Sequence, residues 1–173
     1  MHQWMWTALT TAALIILSFQ RAGSSWATPL NAGFTSTTLA VGRFGEINVA
    51  LSSFTATDDE RIHWLSRQQT QGSSDLYVQS NVWQAGASTG WHTHPGHSLI
   101  IVTAGTLTDY EGNDPDCKPH VYTQGMGFVD PGGGHVHILR NETDGVAKTV
   151  AVQLIPAAAN VHIDVADPGR CRF

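Results

Sequence analysis

The sequence predicts an all-β protein built from many short strands. No segment after residue 30 shows the period of a long helix. In Leu76–Trp83, apolar and polar residues alternate as they do in a half-buried strand. Clusters of Gly, Pro, Asp and Asn separate this segment from further strand-like segments at close intervals. Many short strands at such spacing are typical of a sandwich or barrel of antiparallel hairpins.

The strand-like segments after Trp83 follow one another with turn residues between them. The first of them is continuously apolar and β-branched, which predicts a strand covered on both faces. Before Leu76, the polar stretch 66–75 is predicted to be a surface loop, and Asp58–Leu65 a turn or two of helix at most. The predicted strands are Leu99–Thr103, Leu107–Tyr110, Val121–Thr123, Gly127–Val129, His135–Leu139 and Lys148–Ile155.

The first 27 residues predict a signal segment. The apolar run Thr7–Phe19 is short for a membrane span and has the length of a signal-peptide core. The triplet Ser25-Trp26-Ala27 has a small residue at each end, as a signal peptidase site needs, so we expect cleavage after Ala27. An uncleaved anchor is the alternative, because residues 1–6 contain no Lys or Arg. Both readings place the domain outside the cytoplasm, and cleavage leaves no stable membrane insertion.

Length and charge indicate one domain with a small-molecule partner. The 173 residues carry a formal charge of −5 and no basic cluster, which excludes nucleic acid as a partner. The expected organisation is an N-terminal extension with strands and a polar loop at 28–75, a barrel core at 76–160 and a C-terminal tail at 161–173.

The two cysteines predict one disulfide bond that ties down the tail. Cys117 lies in a polar loop and Cys171 near the C-terminus, and an even pair in an exported chain is readily a disulfide. Two free thiols are one alternative. Cys117 as a metal ligand beside His120 is another, although this spacing matches no common zinc motif.

Histidines are concentrated in two runs of the sequence. Five of the nine lie in GWHTHPGHSL and GGGHVHILRN, and each run contains a His-x-His pair. Residues i and i+2 of a strand point to the same face, so each pair can direct two ring nitrogens at one ion. Because neutral imidazole is the commonest protein ligand of metals, these runs predict a metal site.

These two runs resemble the two conserved motifs of the cupin family. Residues 86–105 resemble the first motif and residues 125–141 the second, with 19 residues between them. The resemblance implies a double-stranded β-helix, the cupin jelly-roll barrel, as a single domain after the signal segment. It implies His92, His94 and His137 as metal ligands. The matching positions are Gly86, His92, His94 and Gly105, then Gly125, Pro131, Gly133, His137 and Asn141.

One departure from the family pattern concerns the ligand set. Ser98 stands where the first motif has a glutamate, and no carboxylate lies between Gly86 and Thr108. The resemblance therefore implies a three-histidine site, a variant also found among cupin dioxygenases, with one coordination position left to water or substrate. An imidazole-only site suits Fe, Zn, Mn, Ni or Cu, so the cofactor is a divalent transition metal of open identity.

Several neighbouring side chains remain open. The second motif carries one residue more than the family pattern, so His135 competes with His137 for the role of metal ligand. His97 is either a fourth ligand or a loop residue. Asp130 and Tyr110 are acid–base candidates by proximity alone. The other side chains are expected to have structural roles only. Trp83 and Trp91 are expected to be core aromatics, and Asn141 to lie at a strand end despite its glycosylation sequon. His63, His120 and His162 are expected to be ordinary surface histidines or histidines with satisfied hydrogen bonds.

Two functions are compatible with such a chain. The first is a metal-dependent dioxygenase or isomerase that transforms a small polar molecule. The second is a non-catalytic cupin that binds a small ligand, such as a carbohydrate, or a metal. The fold cannot separate them, because cupins serve both purposes, and many members of the family form homodimers.

Overall fold

The computed structural model describes residues 33–56 and 61–173, and these residues form twelve β-strands. This confirms the all-β prediction. The strands are β1 (Phe34–Phe44), β2 (Asn48–Ala56), β3 (Arg61–Gln69), β4 (Ser74–Trp83), β5 (His92–Thr93), β6 (Ser98–Ala104), β7 (Thr106–Glu111), β8 (His120–Thr123), β9 (Gly127–Asp130), β10 (His137–Arg140), β11 (Ala147–Pro156) and β12 (Ile163–Asp164).

Two five-stranded antiparallel sheets form the barrel. The first sheet has the order β1-β4-β11-β6-β9 and the second the order β12-β5-β10-β7-β8. The chain crosses from one sheet to the other repeatedly, which is the arrangement of the predicted jelly roll. Both sheets contribute to the main apolar cluster between them, which includes Trp83, Ile100, Val102, Leu107, Phe128 and Leu139.

The structure corrects the prediction that β6 is covered on both faces. Leu99 and Ile101 are 53% and 54% exposed, whereas Ile100 and Val102 are buried. The strand therefore alternates between an inner and an outer face, as half-covered strands do. The outer face is apolar although its side chains are about half exposed, and this made the strand look buried on both faces in the sequence.

The predictions before Leu76 are largely wrong. Residues 61–69 form β3, which pairs with β2 in a separate ribbon, so they are neither a helical turn nor part of a polar loop. Where its side chains are described, the ribbon buries neither face, and without a buried face a strand shows no period-2 pattern. β1 lies in the predicted N-terminal extension, which was expected to contain strands, and it is the edge strand of the first sheet. Residues 57–60 lie outside the described residues.

The signal segment predicted at 1–27 lies outside the described residues as well. Within residues 33–56 and 61–173, no helix has the length and apolar character needed to cross a membrane.

The C-terminal tail folds over the outer face of the second sheet. Cys117 and Cys171 form the predicted disulfide bond, with their Cα atoms 5.2 Å apart. Cys171 is buried in a second apolar cluster together with Trp91 and Ile138. The second sheet therefore packs against the main apolar cluster on one side and against the disulfide-anchored tail on the other.

An ion pair fastens the edge strand β1 to β4. The Arg43 guanidinium donates two hydrogen bonds of 2.8 Å to the Asp75 carboxylate, which also accepts one from the backbone N–H of Ala158. The bonds from Arg43, then that from Ala158, hold the pKa of Asp75 at about 2. A carboxyl with a lowered pKa stabilises the fold above its unfolded pKa of about 4, and this contribution is lost as the pH falls towards 2.

We therefore expect Asp75→Asn to lower the melting temperature at pH 7 and to flatten its decline between pH 5 and pH 3. Thermal denaturation followed by circular dichroism measures both effects. Asp144→Asn, at an exposed carboxylate after β10, is the matched control and should leave the pH profile as it is in the wild type. An equal decline in Asp75→Asn and wild type would contradict the assignment.

Candidate metal centre

The second sheet brings the three predicted ligands together. His92 begins β5 and His137 begins β10, and the two are directly paired across these strands. His94 follows β5. The ring centroid of His92 lies 4.5 Å from that of His137 and 4.8 Å from that of His94. Two distant motifs of the sequence thus meet at one point of the barrel.

Each of the three rings is oriented through its Nδ1 atom. Nδ1 of His92 lies 2.9 Å from the carbonyl oxygen of Gly90, and Nδ1 of His94 contacts the carbonyl oxygen of Val161. Nδ1 of His137 lies 3.1 Å from Oδ1 of the buried Asp109. These oxygens accept hydrogen bonds, so each Nδ1 donates a proton. In the neutral ring this leaves the lone pair on Nε2, the form in which histidine binds a metal.

A carboxylate reaches the same point from the first sheet. Asp130 ends β9 and is the cross-strand partner of Ser98 on β6. Its Oδ2 atom lies 3.3 Å from Nε2 of His94 and 3.6 Å from Nε2 of His137. Its Oδ1 atom accepts a hydrogen bond of 2.9 Å from the N–H of Gly132. A carboxylate on the neighbouring strand therefore lies next to Ser98, where the first motif lacks one, and strand pairing was the information needed to find it.

Two buried atoms at this point have no hydrogen-bond partner among the described residues. They are Nε2 of His137 and Oδ2 of Asp130, which face each other. A buried lone pair next to a buried carboxylate is costly unless a cation or proton lies between them. Together with His94 they form a group whose candidate ligand atoms all lie within 4.8 Å of one another. Two imidazoles and a carboxylate are suitable ligands for a divalent transition metal.

His162 also joins the cluster, although sequence reasoning assigned it no role. Its ring stacks on that of His92 at 4.3 Å, and with His92 and His94 it forms a second group that could hold a metal. Its Nε2 atom lies 2.9 Å from Asp164 Oδ1, so this histidine is also satisfied by a carboxylate. It lies outside both motifs, and only the path of the chain towards β12 brings it here.

Burial and charge set the protonation of the three rings. The pKa of His92 is lowered well below its usual value, chiefly by burial and then by the neighbouring histidines. Burial likewise lowers the pKa of His94. Burial also acts to lower the pKa of His137, but Asp109, Asp130 and Glu111 outweigh it and the pKa is raised. His92 and His94 are therefore neutral at pH 7, as metal ligands must be.

His135 lies beside the cluster rather than in it. Its Nε2 atom contacts the carboxylate of Glu111, and its Nδ1 atom lies 3.4 Å from Oδ1 of Asp130. β10 begins only at His137, so the two histidines do not occupy alternate positions of one regular strand. The ring of His135 contacts the side of Asp130 that faces away from His137.

Other sequence candidates lie elsewhere. His97 lines a groove on the outer face of the first sheet, beside Leu99 and Leu154. Tyr110 lies on the outer face of the second sheet, where its hydroxyl donates to Glu142, so its proximity to the motifs in sequence was misleading.

Asn141 is buried, and its Nδ2 atom lies near three backbone carbonyl oxygens, which agrees with the expected structural role. His120 is exposed on β8, and the side chain of His63 lies outside the described side chains.

A cavity of about 290 Å³ opens between the two sheets in front of the histidines. His92, His94, His137 and His162 line it from the second sheet. Apolar side chains from both sheets form much of the remaining wall, among them Phe34, Ile100 and Leu139. The arrangement offers a small molecule access to the clustered histidines within a largely apolar enclosure.

Residues 81–153 match the family model described as the cupin domain. The chain contains a cupin domain. The matched segment includes the two histidine motifs, Ser98 and Asp130, whereas His162 lies beyond it. The histidine motifs and the carboxylate on β9 therefore lie within the cupin-type domain.

Solved structures with a similar fold include three chains of different origin. A cupin superfamily protein from Desulfitobacterium hafniense is 15% identical, with 62% of this chain and 78% of that chain covered and a TM-score of 0.40. The polyketide cyclase RemF from Streptomyces resistomycificus is 16% identical, with 54% and 64% covered and a TM-score of 0.45. The DMSP lyase DddQ from Ruegeria pomeroyi is 18% identical, with 54% and 45% covered and a TM-score of 0.46. No curated protein matches the sequence.

Proposed function

We propose that this chain is an exported cupin that holds one divalent transition metal on His92, His94 and His137, with Asp130 as the carboxylate ligand. Its function is to bind or transform a small polar molecule at that metal, as a dioxygenase or an isomerase. The apolar run at Thr7–Phe19 and the disulfide bond support export, because disulfides persist mainly in oxidising compartments.

The facing pair of unpartnered atoms, Nε2 of His137 and Oδ2 of Asp130, carries this proposal. Without a metal ion or a proton between them, a lone pair and a negative charge would oppose each other at 3.6 Å in a buried site. A metal between them satisfies both atoms and makes use of the Nε2 atoms that the three Nδ1 contacts leave free.

The metal would act as a Lewis acid that polarises a bound oxygen of the substrate. The protein's own contribution is orientation and enclosure. Gly90, Val161 and Asp109 fix the three imidazole rings through their Nδ1 atoms. The apolar cavity wall keeps bulk water away, which strengthens the electrostatic interactions inside.

Single substitutions of His92, His94 or His137 by asparagine are expected to reduce metal affinity by more than about 100-fold, since even contacts behind the ligands typically contribute 10- to 100-fold. Elemental analysis of protein purified without chelator should give about one metal per wild-type chain and almost none in the variants. His120→Asn replaces an exposed histidine on β8 and is the matched control.

Oxygen-consumption assays with thiols, phenols and sugars then separate the two functions. Turnover that follows the metal content of the variants supports an enzyme. A protein that retains the metal but turns over none of the substrates would favour the binding function. A wild-type chain that contains no metal and takes up none on reconstitution would overturn the proposed site.

A further inference from the structure

Part of the cavity wall on the first sheet is polar but uncharged. Gln79 and Asn81 occupy alternate positions of β4 and line the cavity from the first sheet. Ser36 on β1 and Thr149 on β11 are the cross-strand partners of Asn81. Gln79 donates a hydrogen bond of 3.3 Å to Ser36, and Asn81 donates one of 3.2 Å to Thr149. A stripe of amides and hydroxyls thus lies across the cavity from the histidine-bearing sheet.

Two buried polar atoms of this wall have no hydrogen-bond partner in the described part of the chain. They are the acceptor Oδ1 of Asn81 and the donor Nε1 of Trp83. Asn81 is 8% exposed and Trp83 1% exposed, and both line the cavity. A buried polar group without a partner costs about 1–3 kcal/mol, and a bound molecule that supplies the partner recovers this cost. The wall therefore offers one acceptor and one donor to a ligand.

The wall provides no counter-ion for a charged ligand group. Among the described residues that line the cavity there is no Lys, Arg, Asp or Glu. A carboxylate, phosphate or ammonium placed against the wall of Gln79, Asn81 and Trp83 would lose its hydration without gaining an opposite charge. An amide, hydroxyl or carbonyl group has no such penalty.

We propose that the ligand lies between the two sheets, with adjacent oxygen atoms at the metal and a neutral hydrogen-bonding group against Asn81 and Trp83. This assignment rests on the proposed metal site and adds the chemical class of its ligand. The cavity, at about 290 Å³, lies near the lower end of ligand pockets, which suits a single-ring molecule. Small molecules with a charged group at the end remote from the metal are rejected.

A matched pair of probes tests this assignment. 3,4-Dihydroxybenzamide and 3,4-dihydroxybenzoate share a ring and a pair of metal-binding hydroxyls, and they differ in the charge of the distal group. We expect the zinc-loaded full-length chain to bind the amide at least about tenfold more tightly than the carboxylate in isothermal titration calorimetry. Zinc is used because it is redox-inert and leaves the probes unoxidised.

Two variants and one control locate the preference in the wall. Asn81→Leu removes the acceptor, and Trp83→Phe removes the donor while it keeps the aromatic contact with Phe34. The preference for the amide should fall to about threefold or less in both. Ser80→Ala changes the neighbouring residue of β4, which does not line the cavity, and should keep the full preference.

Zinc analysis of each titrated sample separates the possible failures. Zinc-loaded wild type that binds the carboxylate as tightly as the amide, or binds neither probe, overturns the assigned ligand class and leaves the metal site standing. A preference that persists unchanged in both Asn81→Leu and Trp83→Phe overturns the role of the wall. A wild-type chain that takes up no zinc overturns the metal site and the ligand class together.

Discussion

Asp130→Asn is expected to reduce metal affinity by about 100-fold or more while leaving the metal-free protein at least as stable as the wild type. The amide keeps an oxygen that can accept from Gly132 N–H, as Oδ1 of Asp130 does now. It replaces the negative Oδ2 by an N–H group that can donate to the free Nε2 atoms of His94 and His137. Competition with a chelator measures the affinity, and thermal denaturation of the metal-free proteins measures the stability.

The strand pairing provides a rescue for this variant. Ser98 is the cross-strand partner of Asp130 and lines the cavity, so Ser98→Glu in the Asp130→Asn background places a carboxylate where the family motif carries it. We expect this double variant to regain part of the lost affinity. Ser98→Gln in the same background is the uncharged control. Wild-type affinity in Asp130→Asn, or a large loss of stability in its metal-free form, would contradict a ligand role for Asp130.

Cys171→Ser is expected to lower the free energy of unfolding by about 4 kcal/mol, because the disulfide closes a loop between residues 54 apart in sequence. For a domain of this size the loss corresponds to a fall of about 10 °C in melting temperature. The tail that the disulfide anchors contributes Phe173, whose ring packs against Tyr110 and under the Arg140 guanidinium. Denaturant unfolding followed by fluorescence measures the effect.

The variant Cys117→Ser/Cys171→Ser is the control for this prediction. It should match Cys171→Ser in stability, and a reductant should destabilise the wild type without affecting the double variant. Equal stability of the oxidised and reduced wild type would show that the tail is held by its packing alone.

The barrel strands that face a buried core were predictable from sequence, because burial on one face imposes a period of two. β11 shows this period in its burial, whereas the alternation of β4 places its polar residues Gln79 and Asn81 on the cavity side. The predicted and observed bounds of both strands differ by no more than two residues at either end. The ribbon of β2 and β3 buries neither face where its side chains are described, and its sequence was assigned to a loop and a helical turn. A strand is recognisable from its sequence only where its environment is asymmetric.

The sequence by itself determined the cupin barrel and the three histidines, because the spacing within each motif is local information. Their convergence, with His92 paired to His137, follows from the strand register that the barrel imposes. Only the tertiary structure decided that Asp130 lies beside Ser98, where the motif lacks its glutamate, and that His162 stacks on His92. These two contacts join residues that are 32 and 70 positions apart, and no pattern along the chain encodes which strands lie side by side.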